Sequence, residues 1–176
     1  MMKPGKHLLR VLAASFLFFA VACKKDAPDE QGNPETGEGV FITLGAKTYT
    51  YTKAFASGNA FDFGIQFQKT VGANTYFGTI DWKCLGTGTR PWSESDTQFG
   101  WEPEDFSPRS YLQSYYDDGM KVSTGNVNVT RLGAVGELVE GTFSVTQAGQ
   151  TNIESGNGEY LGSHKVTGHF KVKRTE

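Results

Sequence analysis

Beyond residue 40 the apolar residues recur with period two. Phe61, Phe63, Ile65 and Phe67 alternate with Asp62, Gly64, Gln66 and Gln68, so Ala60 to Gln68 predicts a strand with one apolar and one wet face. Similar runs occur at Val40 to Leu44, Lys47 to Tyr51, Tyr76 to Cys84, Val127 to Arg131, Leu138 to Thr146 and Lys165 to Lys173. In the last of these Val166, Phe170 and Val172 face in, while Lys165, Thr167, His169, Lys171 and Lys173 face out. Gly45-Ala46 and Gly72-Ala73-Asn74 supply tight hairpin connections, Gly133 and Gly136 allow a reversal, and Gly141 suggests a bulge. No stretch of ten or more residues after position 40 spaces its apolar residues at three and four, which limits helix to a turn or two. The pattern predicts an all-β domain over 40–176, an antiparallel β-sandwich of about seven to eight strands, with a partly closed β-barrel as the alternative.

The alternation stops between Gly86 and Tyr111. That segment holds two Trp, two Phe, three Pro and five acids, and reads as a long aromatic and acidic loop. Loops of such length without secondary structure tend to be functional.

The start of the chain has a different pattern. Lys3, Lys6, His7 and Arg10 precede an apolar run, Val11 to Ala22, interrupted only by Ser15. This charged-then-apolar order predicts a secretory signal peptide over 1–22, and the run is shorter than the roughly 20 residues a spanning helix needs. Residues 23–39 carry no large apolar side chain and predict a flexible acidic tether.

The motif Ala20-Val21-Ala22-Cys23 resembles the lipobox of bacterial lipoproteins, with Ala20 where that motif usually has Leu. The resemblance implies cleavage before Cys23 and a lipid anchor on its thiol, with palmitate-type acyl chains holding the domain to a membrane. The alternative is an ordinary signal peptide cut near Ala22, and the position of the cysteine directly after the apolar run argues against it. Cys23 followed by Lys24-Lys25 and then acids also looks like the start of Bacteroidetes-type lipoproteins. That likeness implies an outer-membrane address, with the cell surface favoured over the periplasmic face.

Charge narrows the partners. Without Lys3, Lys6 and Arg10, fourteen bases face nineteen acids, a net charge of −5, of which −3 lies in the tether and −2 in residues 40–176. Nucleic acid is not the expected partner. With Cys23 lipidated, Cys84 is the one remaining thiol, so neither a disulfide framework nor a cysteine-based metal site is expected. Cys84 itself reads as a small buried hydrophobe.

Trp92, Phe99, Trp101 and Tyr111, with Glu94 and Asp96, are the candidate ligand contacts. Indole faces flanked by carboxylates can stack on a sugar ring and hydrogen-bond its hydroxyls. The reading in which Trp92 and Trp101 fold back as lids on the sandwich ends, leaving the acids solvated, is preferred to it. Glu94-Ser95-Asp96 and Asp117-Asp118-Gly119 match no complete calcium loop, and no metal or other cofactor is predicted.

No residue is predicted to be catalytic. His164, read as part of a turn, and His169, read as a solvated surface residue, are the histidines beyond the signal, and no Gly-x-Ser-x-Gly elbow occurs. Lys165, Lys171, Lys173 and Arg174 form an outward basic row, read as the guard of an edge strand in preference to a surface for acidic glycans or lipid headgroups.

The carboxyl-terminal half carries Asn126 to Arg131, then Gly141-Thr142-Phe143, then Gly168-His169-Phe170. This ending resembles small Bacteroidetes-type lipoproteins of unknown function that close with a Gly-Thr-Phe strand and a Gly-x-Phe strand. The resemblance implies a β-rich fold and an anchored address, and carries no catalytic residue. The expected function is a non-enzymatic binding module of the cell envelope with carbohydrate as the leading ligand. The alternative is an accessory subunit that docks on another envelope protein.

Overall fold

The computed structural model describes residues 37–83, 86–92, 97–116 and 121–176, and the chain there is all-β. Cys23 and the signal and tether segments lie almost wholly outside the described residues, as does Cys84. The strands are β1 (Gly39–Leu44), β2 (Lys47–Tyr51), β3 (Lys53–Gly58), β4 (Asp62–Val71), β5 (Asn74–Lys83), β6 (Gly88–Pro91), β7 (Gln98–Trp101), β8 (Ser110–Gln113), β9 (Tyr115–Tyr116), β10 (Lys121–Val122), β11 (Gly125–Leu132), β12 (Leu138–Asn152) and β13 (Tyr160–Arg174). Eleven of them form one mixed sheet, and β9 and β10 pair separately.

The sheet folds into two layers. One runs β2-β1-β13-β12-β11-β6, and the other β3-β4-β5-β7-β8. The fifteen-residue strands β12 and β13 serve both. β12 pairs β11 through Val139 to Val145, breaks register before Ala148, and then pairs β8 through Gly149 to Asn152. On the other side β13 meets β3 in a short parallel contact at Lys173 and Arg174. The layers are thereby joined along both sides, and the strand pairings close a ring.

Aromatic residues fill the space between them. Trp82 on β5 stacks on Phe170 of β13 at 6.2 Å, Phe99 on β7 meets Phe143 of β12 at 5.4 Å, and Tyr51 on β2 meets Phe67 of β4 at 5.0 Å. The residues expected to face inward on β4 and β13, namely Phe63, Ile65, Phe67, Val166, Phe170 and Val172, are all buried.

The two Gly-x-Phe sequences explain each other. In the β12–β13 register Gly141 lies opposite Phe170 and Phe143 lies opposite Gly168. Each ring covers the bare backbone of the glycine across from it, and a Cβ at either glycine would overlap that ring. Gly141 is therefore not itself a bulge: the register shift sits opposite it on β11, between Val129 and Arg131.

Other expectations need correction. Phe61 does not join the β4 core row and is 77% exposed, because the Asn59 side chain accepts hydrogen bonds from the Phe61 and Asp62 amides and holds them in a turn. The segment 86–111 is not a structureless loop, since it contributes β6 and β7. His164 belongs to β13, where its Nε2 lies 2.7 Å from Gln150 Oε1, and His169 stacks on Phe41 at 4.6 Å instead of standing free in solvent.

The lysine row of β13 guards no edge, for β13 is flanked by β1 and β3 on one side and β12 on the other. The ends of the large sheet are β2, which begins at Lys47, and β6, which is four residues long and ends at Pro91. A terminal lysine, short length and proline are the usual protections of an edge.

Candidate functional site

The aromatic residues expected to meet a ligand are mostly inside. Phe99 and Trp101 alternate about Gly100 on β7 and point into the core at 2% and 0% exposure, and Trp92 is 2% exposed. Their polar ends are satisfied internally: Trp101 Nε1 donates to Tyr51 Oη at 2.6 Å, and Trp92 Nε1 donates to the Ser144 carbonyl at 2.6 Å. A sugar cannot stack on rings so placed, which corrects the idea of an open indole platform. Glu94 and Asp96 lie outside the described residues, as do Asp117 and Asp118. Of the six expected contacts, Tyr111 alone is seen on an outer face, half-buried.

The acids that follow Trp101 form a clasp. Glu104 accepts hydrogen bonds from Lys69 at 2.6 Å and Tyr51 at 2.9 Å, while Asp105 accepts from Lys47 at 2.6 Å and Tyr49 at 2.9 Å. Arg109 Nε donates to Glu102 at 2.7 Å. Burial pushes the Glu104 and Asp105 carboxyls up, but the hydrogen bonds from the lysines and tyrosines outweigh it and hold both below the ordinary carboxylate range. The same contacts work on the phenols: burial first, then the neighbouring acids, drives Tyr49 upward, and burial together with the Glu104 charge does so for Tyr51. These acids are engaged with cations of the chain, and among the described residues no group of three or more His, Cys, Asp or Glu is placed to hold a metal.

A concavity lies on the outer face of the β3-β4-β5-β7-β8 layer. One depression of about 400 Å³ is lined by Ser57, Asp62, Phe63, Gly64, Gln66, Asp81, Trp82 and Gln98. A second, of about 90 Å³, shares Gln98 and adds Thr79, Phe99, Gly100, Tyr111 and Gln113. The register explains the juxtaposition. Ser57, Gly64, Asp81 and Gln98 stand in one row across four strands, and Phe55, Gln66, Thr79, Gly100 and Gln113 stand in the next.

Two glycines shape the floor. The Asp81 carboxylate occupies the space a Cβ on Gly64 would need, and the Tyr111 hydroxyl does the same at Gly100. Both side chains therefore lie flat along the sheet and leave a trough above it. Thr79, between Gln66 and Gly100 in the second row, is the polar neighbour of both Asp81 and Tyr111. Burial raises the Asp81 carboxyl, partly opposed by Thr79, and it raises the Tyr111 phenol with help from the charges of Asp81 and Glu102.

Trp82 lines the first depression while its ring stacks inward on Phe170, and its Nε1 is buried with no hydrogen-bond partner among the described residues. A buried donor without an acceptor is costly and uncommon. Sequence reading assigned Asp62, Gly64 and Gln66 to the wet face of β4 but had no means of bringing Asp81, Gln98 and Tyr111 to them, because that depends on the register of four strands. Comparisons with protein-family models, with curated proteins and with solved structures find no match.

Proposed function

We propose that this chain is a non-enzymatic binding module held to the cell envelope by a lipid on Cys23, as in Bacteroidetes-type lipoproteins, and that its ligand is a carbohydrate bound in the trough across β4, β5, β7 and β8. The observation that carries the reading is the pair of glycines, Gly64 and Gly100, over which Asp81 and Tyr111 lie flat beside Gln66, Gln98 and Gln113. Amide, carboxylate and hydroxyl groups converging on a concavity are what polyhydroxylated ligands require, since each sugar hydroxyl both donates and accepts. The anchor is supported by the charged-then-apolar start and by the position of Cys23. Surface display is favoured over the periplasmic face by the acids that follow Lys24 and Lys25.

The test has two arms. Metabolic labelling with palmitate is expected to mark the wild-type chain and not Cys23→Ser. A glycan array probed with the full-length chain in detergent is expected to give hits that Asp81→Asn weakens. A chain that takes up no lipid contradicts the anchor, and hits indifferent to Asp81→Asn contradict the site.

A further inference from the structure

We infer that the trough selects a neutral, extended glycan lying across the strands, and that it discriminates against uronic-acid and sulfated chains. This rests on the carbohydrate reading above and adds the class of sugar. The charged side chains that line the two depressions are Asp62 and Asp81, both acids, and no lysine or arginine is among the lining residues. An anionic sugar placed there meets the carboxylates of the lining first, while the flanking cations, Lys83 across the strand from Asp62 and Arg174 over the Phe63 ring, stand outside the lining, and specificity of this kind is set as much by repulsion as by attraction.

Shape and stacking complete the argument. The two depressions meet at Gln98 and continue across β3 to β8, a span of about 19 Å by the spacing of neighbouring strands. That favours a chain over a single sugar unit. Stacking faces are present although the tryptophans are buried. Phe55, 40% exposed, stands beside Gln66 in the second row, and Phe77, 52% exposed, lies two residues from Thr79 on the outer face of β5. An apolar ring at the margin of a hydrogen-bonding floor suits the two sides of a pyranose, one presenting C–H groups and the edge presenting hydroxyls.

Calorimetric titration of the full-length chain in detergent provides the test. One set of probes is neutral, namely cello-, xylo- and manno-hexaose, and the other is acidic, namely oligogalacturonate and a sulfated chondroitin oligomer. Neutral hexaoses are expected to bind at least tenfold more tightly than the acidic probes and more tightly than the matching monosaccharides. Phe55→Ala, at an exposed position, is expected to weaken neutral binding several-fold with an unchanged melting temperature. The double variant Asp62→Asn, Asp81→Asn is expected to narrow the gap between neutral and acidic probes. Acidic probes binding as tightly as neutral ones, with the tightness still lost on altering Asp81, would overturn the neutral-glycan inference and leave the carbohydrate site standing. Failure of every probe to bind would remove the carbohydrate reading and this inference with it.

Discussion

The carboxylate of Asp81 lies against the bare backbone of Gly64, in the space that any larger residue would fill. The atom in the way is the free end of a side chain on an outer face, so Gly64→Ala displaces Asp81 without disturbing the core. The expected result is a melting temperature close to that of the wild type and a loss of sugar affinity of about tenfold, the equivalent of one good hydrogen bond to a charged group. Differential scanning calorimetry and titration on the same samples check it.

Gly141 gives the opposite outcome from similar geometry. A Cβ there meets the Asn128 carbonyl as well as the Phe170 ring, and neither can withdraw easily. Gly141→Ala is expected to cost about 1–3 kcal/mol of unfolding free energy in urea, the usual range for overpacking a core. Binding by the fraction that remains folded should be unchanged.

Tyr51 links the core to the clasp, since it accepts from Trp101 Nε1 and donates to Glu104. Tyr51→Phe leaves the buried indole N–H unpaired and is expected to destabilise by about 1–3 kcal/mol. Lys69→Met, which removes a half-exposed partner of Glu104, is expected to cost about 1 kcal/mol or less.

Acid should loosen the same clasp. Glu104 and Asp105 are held below their ordinary values in the folded chain, so the stabilisation they bring is present above the unfolded carboxylate values near about pH 4. It is lost as pH falls through the lowered folded values. Unfolding midpoints measured between pH 6 and pH 2 are expected to drop at the acid end, and less steeply in Glu104→Gln, Asp105→Asn. An identical profile for the two proteins would show that the clasp carries no pH dependence.

All three tryptophans are buried, Trp82 and Trp101 nearly completely. Emission is expected to be blue-shifted and poorly quenched by iodide, and to change on sugar binding through Trp82, which lines the trough. Strong iodide quenching would mean that the indoles are open after all.

Period two made the β class legible, because half-buried strands write their two faces into alternate residues: Phe63, Ile65 and Phe67 face the core and Gly64 and Gln66 face out. β3 escaped notice because Ala54, Ala56, Ser57 and Gly58 are too small to show a contrast. Phe99 and Trp101 do alternate, but over four residues the signal is too brief to show as a strand, although folding the indoles back onto the domain is the preferred reading of the segment. The lysines of β13 suggested an edge, yet whether a strand is central depends on partners far away in sequence, as Gly39 opposite Lys171 illustrates. For the same reason the trough was not legible: its parts are separated in sequence and joined by register.

The most direct test of the central claim is a crystal structure of the chain with the tightest-binding neutral oligosaccharide of the panel. The account predicts sugar density lying across β4, β5, β7 and β8, with hydroxyls within hydrogen-bond distance of Asp81 and Gln98. Density seated elsewhere on the domain, or an empty trough at saturating sugar, would contradict it.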